Sequence, residues 1–117
     1  MLRLSPLALA VLAACGSSTA GSTCVDHAGT YLAHYKTSAT SCPVIADFQT
    51  VPTQSVLPLG CTDHSTEAGD LCSMTVAGVC TGPASGTISW SPDGATGTGS
   101  VLLPSCATPY GVTLTRQ

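Results

Sequence analysis

Seven cysteines in 117 residues constrain this chain more than any other feature it has. Six of them, Cys24, Cys42, Cys61, Cys72, Cys80 and Cys106, are spread along the chain from residue 24 onward. An even set of cysteines in a small exported chain is a disulfide framework, so three bridges are expected. Six cysteines allow 15 pairings, and the sequence does not choose among them. Metal binding by these thiols is not expected: the chain has no CxxC, and stretches of 17, 18, 10, 7 and 25 residues separate the six, which is not the spacing of a zinc ribbon. The seventh cysteine, Cys15, lies in a different setting, and that setting indicates where the chain goes.

One positive residue, Arg3, precedes an apolar run from Leu4 to Ala14 that is interrupted only by Ser5 and Pro6 and closes on the small pair Ala13 and Ala14. This is the layout of a secretory signal peptide. A spanning helix needs about 20 apolar residues, and after Cys15 the chain turns at once into GSSTAGST, so the run is not a transmembrane anchor. The tetrapeptide LAAC, Leu12 to Cys15, resembles the bacterial lipobox at every position. That resemblance implies cleavage before Cys15, a diacylglyceryl thioether on its sulfur and acylation of its new amino group. Two or more acyl chains suffice for stable anchoring where one does not. Gly16 stands where, by family analogy, an Asp would favour retention in the inner membrane, so an outer-membrane destination is expected.

The expected organisation is a signal peptide over 1–14, a lipidated flexible tether over 15–23 and a single disulfide-rich β domain over 24–117. The tether is made of small polar residues and has an r.m.s. span of roughly 15 Å. Beyond it, the only aromatic residues are Tyr31, Tyr35, Phe48, Trp90 and Tyr110, and the aliphatic side chains are mostly Val and Ala, so the core is small. Disulfides compensate, at about 2 to 5 kcal/mol each in small secreted domains.

Period-two alternation marks the strands. Tyr31, Ala33 and Tyr35 share one face of a strand over Thr30 to Thr37; Cys72, Met74 and Val76 share another; Ile88 and Trp90 alternate with Thr87, Ser89 and Ser91; Tyr110, Val112 and Leu114 alternate with Gly111, Thr113 and Thr115. SPDG, Ser91 to Gly94, suits a tight turn and would pair Ser91 with Thr96. Trp90 then lies opposite Gly97 and Ile88 opposite Gly99, with bulky residues covering glycines. The expected fold is all-β: a small disulfide-stapled antiparallel sheet of five to seven strands, curled as a barrel or half-barrel or folded as a sandwich.

The run GTY opening the first strand, the spacing of Cys42, Cys61, Cys72, Cys80 and Cys106, the SWSPDGATGTG segment and the closing VTLTRQ strand resemble small cysteine-rich lipoproteins of unknown function from myxobacteria. The resemblance implies a lipid-anchored envelope protein and brings no activity with it.

Chemistry is sparse. Six acids, Asp26, Asp47, Asp63, Glu67, Asp70 and Asp93, face only Lys36 and Arg116 after the signal segment, so nucleic acid is excluded as a partner and acidic lipid headgroups as a second anchor. The densest cluster is CTDHSTEAGD, where Asp63, His64, Glu67 and Asp70 lie between two cysteines. Its spacing fits neither an EF-hand loop nor HExxH, so a solvated acidic loop is expected rather than a metal site. His27 and His34 are expected at the surface without partners. GPASG, Gly82 to Gly86, has its serine one place late for a nucleophile elbow, oxidised cysteines are not nucleophiles, and no two acids form an evident glycosidase pair, so no enzyme and no cofactor are expected. What remains is a structural or interaction module, anchored to the membrane through Cys15 and able to meet another envelope protein. The alternative is a binder of a small ligand, lined by Tyr31, Met74 and Trp90, or of a metal on the Asp63–Asp70 loop.

Overall fold

The structure, a computed structural model, describes residues 23–117. The signal segment and Cys15 lie outside them. Among the described residues the chain forms eight strands: β1 (Tyr31–Lys36), β2 (Phe48–Thr50), β3 (Thr62–Asp63), β4 (Thr66–Glu67), β5 (Ser73–Val79), β6 (Pro83–Trp90), β7 (Thr96–Leu102) and β8 (Tyr110–Arg116). They make one antiparallel sheet in the order β2-β1-β8-β7-β6-β5-β3, with β4 also on β5. Its two edges do not meet, so the curled sheet is a half-barrel. The count passes the expected five to seven because it includes β3 and β4, two residues each, too short to leave a periodic signal in the sequence.

β1, β5, β6 and β8 bury alternate residues as their patterns predict, while β7 buries only Gly97 and Val101. Tyr31, Ala33 and Tyr35 of β1, Met74 and Val76 of β5, Ile88 and Trp90 of β6, and Tyr110, Val112 and Leu114 of β8 turn inward to one core. The outward positions are largely Thr and Ser. The concave side is closed by the connection from β1 to β3, which drives Val56 and Leu57 into the core, where the Tyr35 hydroxyl donates to the Val56 carbonyl at 2.5 Å. Burial, reinforced by the nearby Asp63 carboxylate, pushes the Tyr35 phenol well above its ordinary pKa.

The bridges are Cys24–Cys72, Cys42–Cys106 and Cys61–Cys80. The first fastens the incoming chain to the start of β5. The second ties the covering segment to the β7–β8 connection, beside the Tyr110 hydroxyl that donates to the Pro43 carbonyl at 2.7 Å. The third joins the residues flanking β3 and β5.

The β6–β7 hairpin has the expected register, Trp90 opposite Gly97 and Ile88 opposite Gly99. Its turn closes through the Ser91 amide donating to Thr96 O at 2.8 Å and Gly94 at φ +72°, a conformation that L side chains avoid. The Asp93 carboxyl is held below its ordinary range by the Ala95 amide and the Ser91 hydroxyl. Trp90 covers Gly97 so closely that a Cβ there would lie 2.7 Å from its ring. At Gly99 the obstacle is different, the Thr87 carbonyl rather than a side chain.

Candidate functional site

The strand register gives the domain two ends. At one, β1 begins, β8 ends and the β6–β7 turn closes; the chain enters here, with the Cys24 amide donating to Asp70 O at 2.8 Å and the Val25 amide to Pro92 O at 2.9 Å. The entering segment lays His27 flat on Trp90, ring centroids 4.0 Å apart and 9° from parallel, while Tyr31 meets the same indole edge-on. His27 is therefore not the surface residue expected from the sequence but fully buried, because the Cys24–Cys72 bridge draws its segment over the core. Glu67 Oε2 lies 3.1 Å from its Nε2, close enough for an ion pair whenever the ring carries a proton. Neither His27 ring nitrogen, nor Trp90 Nε1, makes an aligned hydrogen bond among the described residues. Arg116 completes this end, its guanidinium donating to the Tyr31 hydroxyl at 3.0 Å and to the Asp26 and Asp93 carbonyls at 3.4 Å. The incoming chain closes over His27, Tyr31 and Trp90, which are buried, while Glu67 and Arg116 stay partly accessible at its edge.

The acidic loop is dispersed. Asp63 accepts from the Val56 amide at 2.8 Å and the Ser65 amide at 2.7 Å, Glu67 faces His27, and Asp70 accepts from the Cys72 amide at 3.0 Å. Asp63 and Asp70 hold separate pieces of backbone and Glu67 faces a ring, and among the described residues no three His, Cys, Asp or Glu side chains converge on a possible metal position. Tyr31, Met74 and Trp90, named as the lining of a ligand cavity, are packed as core. His34 is exposed as expected but has a partner, since its Nδ1 lies 2.7 Å from Asp47 Oδ1.

The opposite end is apolar. Of the five large hydrophobic residues exposed among the described ones, Val44, Leu59, Val79 and Leu102 lie there, and only Val25 lies at the end where the chain enters. Val44 and Leu59 are the most exposed of them, at 92% and 95%. Val44 lies four residues ahead of β2 and Leu59 three residues ahead of β3, both in the segment that covers the core. Between Val44–Asp47 and residues 34–37 at the end of β1 runs a groove of about 380 Å³. A second groove of about 400 Å³ continues it across Phe48, Pro58 and Leu59. The His34–Asp47 contact pins the outer wall of the first groove to β1. Lys36, which also lines it, forms no ion pair among the described residues. On the far side of the same end, a third groove of about 410 Å³ is lined by Pro83 and by Leu102 to Ala107.

Sequence reasoning missed Val44 and Leu59. In PVIAD and VLPLG, apolar residues follow one another without a period, so nothing distinguishes Val56 and Leu57, which turn inward, from Leu59, which does not. No family model, no curated protein and no solved structure matches this chain.

Proposed function

We propose that this chain is a lipoprotein of the bacterial cell envelope, anchored through acylated Cys15 with the outer membrane as its destination, and that its domain is an interaction module whose apolar end is the contact surface. The observation that carries this reading is the polarity of the domain. The chain from Cys15 arrives at Cys24, at the end that gathers Asp26, Glu67, Asp70, Asp93 and Arg116, while Val44 and Leu59 are exposed at the other end, about 20 Å away along strands of six to eight residues. A domain tethered by its charged end turns its apolar end away from its own bilayer, toward whatever else the envelope presents. No catalytic role is part of this reading.

The test is Cys15→Ser in the full chain, followed by membrane fractionation and fatty-acid labelling. The expected outcome is loss of the label and release from the membrane fraction. A variant that stays membrane-bound with its label unchanged refutes the anchor.

A further inference from the structure

We propose that the apolar end binds the same end of a second copy of this chain. The inference deepens the proposed function and rests on that end being a contact surface. A two-fold interface must be self-complementary, each feature meeting its counterpart on an identical patch. This patch has both halves of such a match. Val44 and Leu59 are exposed at the walls of two adjoining grooves that Ile45, Ala46 and Asp47 also line, so exposed apolar side chains and recesses stand side by side on one surface.

The charges are arranged the same way. Lys36, the only lysine of the chain, lines the groove without a carboxylate partner among the described residues. Asp47 lines the same groove with its side chain 46% exposed, and a carboxylate bonded to His34 through one oxygen keeps acceptor capacity for a second donor. Two-fold pairing sets Lys36 against Asp47 of the partner subunit, twice.

Charge elsewhere favours this end over the other. The described residues carry six acids against Lys36 and Arg116, a net charge of −4 with histidine neutral, and four of the acids, Asp26, Glu67, Asp70 and Asp93, lie where the chain enters. End-to-end contact through the apolar patches holds these acidic ends two strand lengths apart, well beyond a Debye length of about 8 Å. The pair also carries its two tethers at opposite poles, so a chain whose apolar end is turned away from its own outer membrane meets a copy on the facing outer membrane of an adjoining cell, not a neighbour in the same bilayer.

The test uses the single lysine. The full chain is produced in unlabelled and in ¹⁵N-labelled cultures, solubilised in detergent, mixed, and treated with a zero-length carbodiimide cross-linker; the cross-linked peptides are then read by mass spectrometry. The expected product joins Lys36 to Asp47 with one peptide of each isotope, in the proportion that random pairing of the two pools requires. Leu59→Asp and Val44→Asp, at positions too exposed to disturb folding, should each lower the mixed product about tenfold or more by placing a carboxylate at the centre of the apolar contact. Products in which both peptides always carry the same isotope, or a mixed product that both variants leave undiminished, overturn the second-copy inference. Cross-linking of intact cells separates the two levels of the argument: Lys36 joined to a different protein overturns the second copy and upholds the contact surface, whereas no product from Lys36 overturns both.

Discussion

Gly97→Ala, set against Gly111→Ala on the neighbouring strand, tests how tightly the core is closed around Trp90. A Cβ at Gly97 would lie 2.7 Å from Trp90 Cζ3, 2.8 Å from Cε3 and 3.1 Å from Ile88 Cγ2. The indole cannot retreat, because His27 lies flat on it and Tyr31 abuts it. His27 in turn is held in place by the Cys24–Cys72 bridge three residues away. Overpacking of this kind costs about 1 to 3 kcal/mol. Removing a glycine returns about 0.4 to 1 kcal/mol through the unfolded chain, so a net loss of up to about 2.5 kcal/mol is expected. At Gly111 the nearest atom to an added Cβ is the Lys36 carbonyl at 3.8 Å and the backbone is not left-handed, so the same exchange should gain about 0.4 to 1 kcal/mol. Trp90 is the only tryptophan, so urea unfolding of the oxidised protein followed by its fluorescence reports both variants with one probe. The midpoints should move in opposite directions, with melting temperature falling about 4 to 8 °C per kcal/mol for Gly97→Ala. Equal shifts of one sign would refute the packing argument.

Two further expectations concern the staples and the buried phenol. Loop-closure entropy assigns about 4.3 kcal/mol to Cys42–Cys106, 4.1 to Cys24–Cys72 and 3.2 to Cys61–Cys80 from their separations of 64, 48 and 19 residues, so alanine pairs should destabilise in that order by urea unfolding; a largest loss at Cys61–Cys80 would contradict it. Because the Tyr35 phenol is raised above its unfolded value, the unfolded chain releases its proton first as pH climbs past about 10, and stability should fall from there upward. Tyr35→Phe should flatten that decline, and an unchanged slope would remove Tyr35 as its cause.

What the sequence made legible was local. The β6–β7 register followed from a turn motif and a period of two, both contained within about a dozen residues, and it placed Trp90 over Gly97 before any distance was known. The inward faces of β1, β5 and β8 followed from the same periodicity. His27 was misplaced because its burial is made by residues far along the chain: Glu67, Trp90 and the Cys24–Cys72 bridge lie 40 or more positions from it or reach across that span. Disulfide pairing was silent for the same reason. The exposed patch was invisible because the β1–β3 connection has no repeat to count, and its shape is fixed by Asp63 holding the Val56 amide and by Tyr35 holding the Val56 carbonyl.

The positions of the three bridges make the domain a short path for mechanical load. A pull applied to the chain at Cys24 crosses the bridge to Cys72, runs up the single strand β5 to Cys80, crosses to Cys61 and reaches Leu59 two residues away. Val44 likewise stands two residues from Cys42 and its bridge to Cys106. Tension between Cys24 and Leu59 is thus carried by covalent bonds along one strand, and the hydrogen bonds joining β1, β8, β7 and β6 lie off its line. A core with one tryptophan and little aliphatic bulk would give way early if it had to bear that force strand by strand; stapled in this order, the fold is bypassed by it.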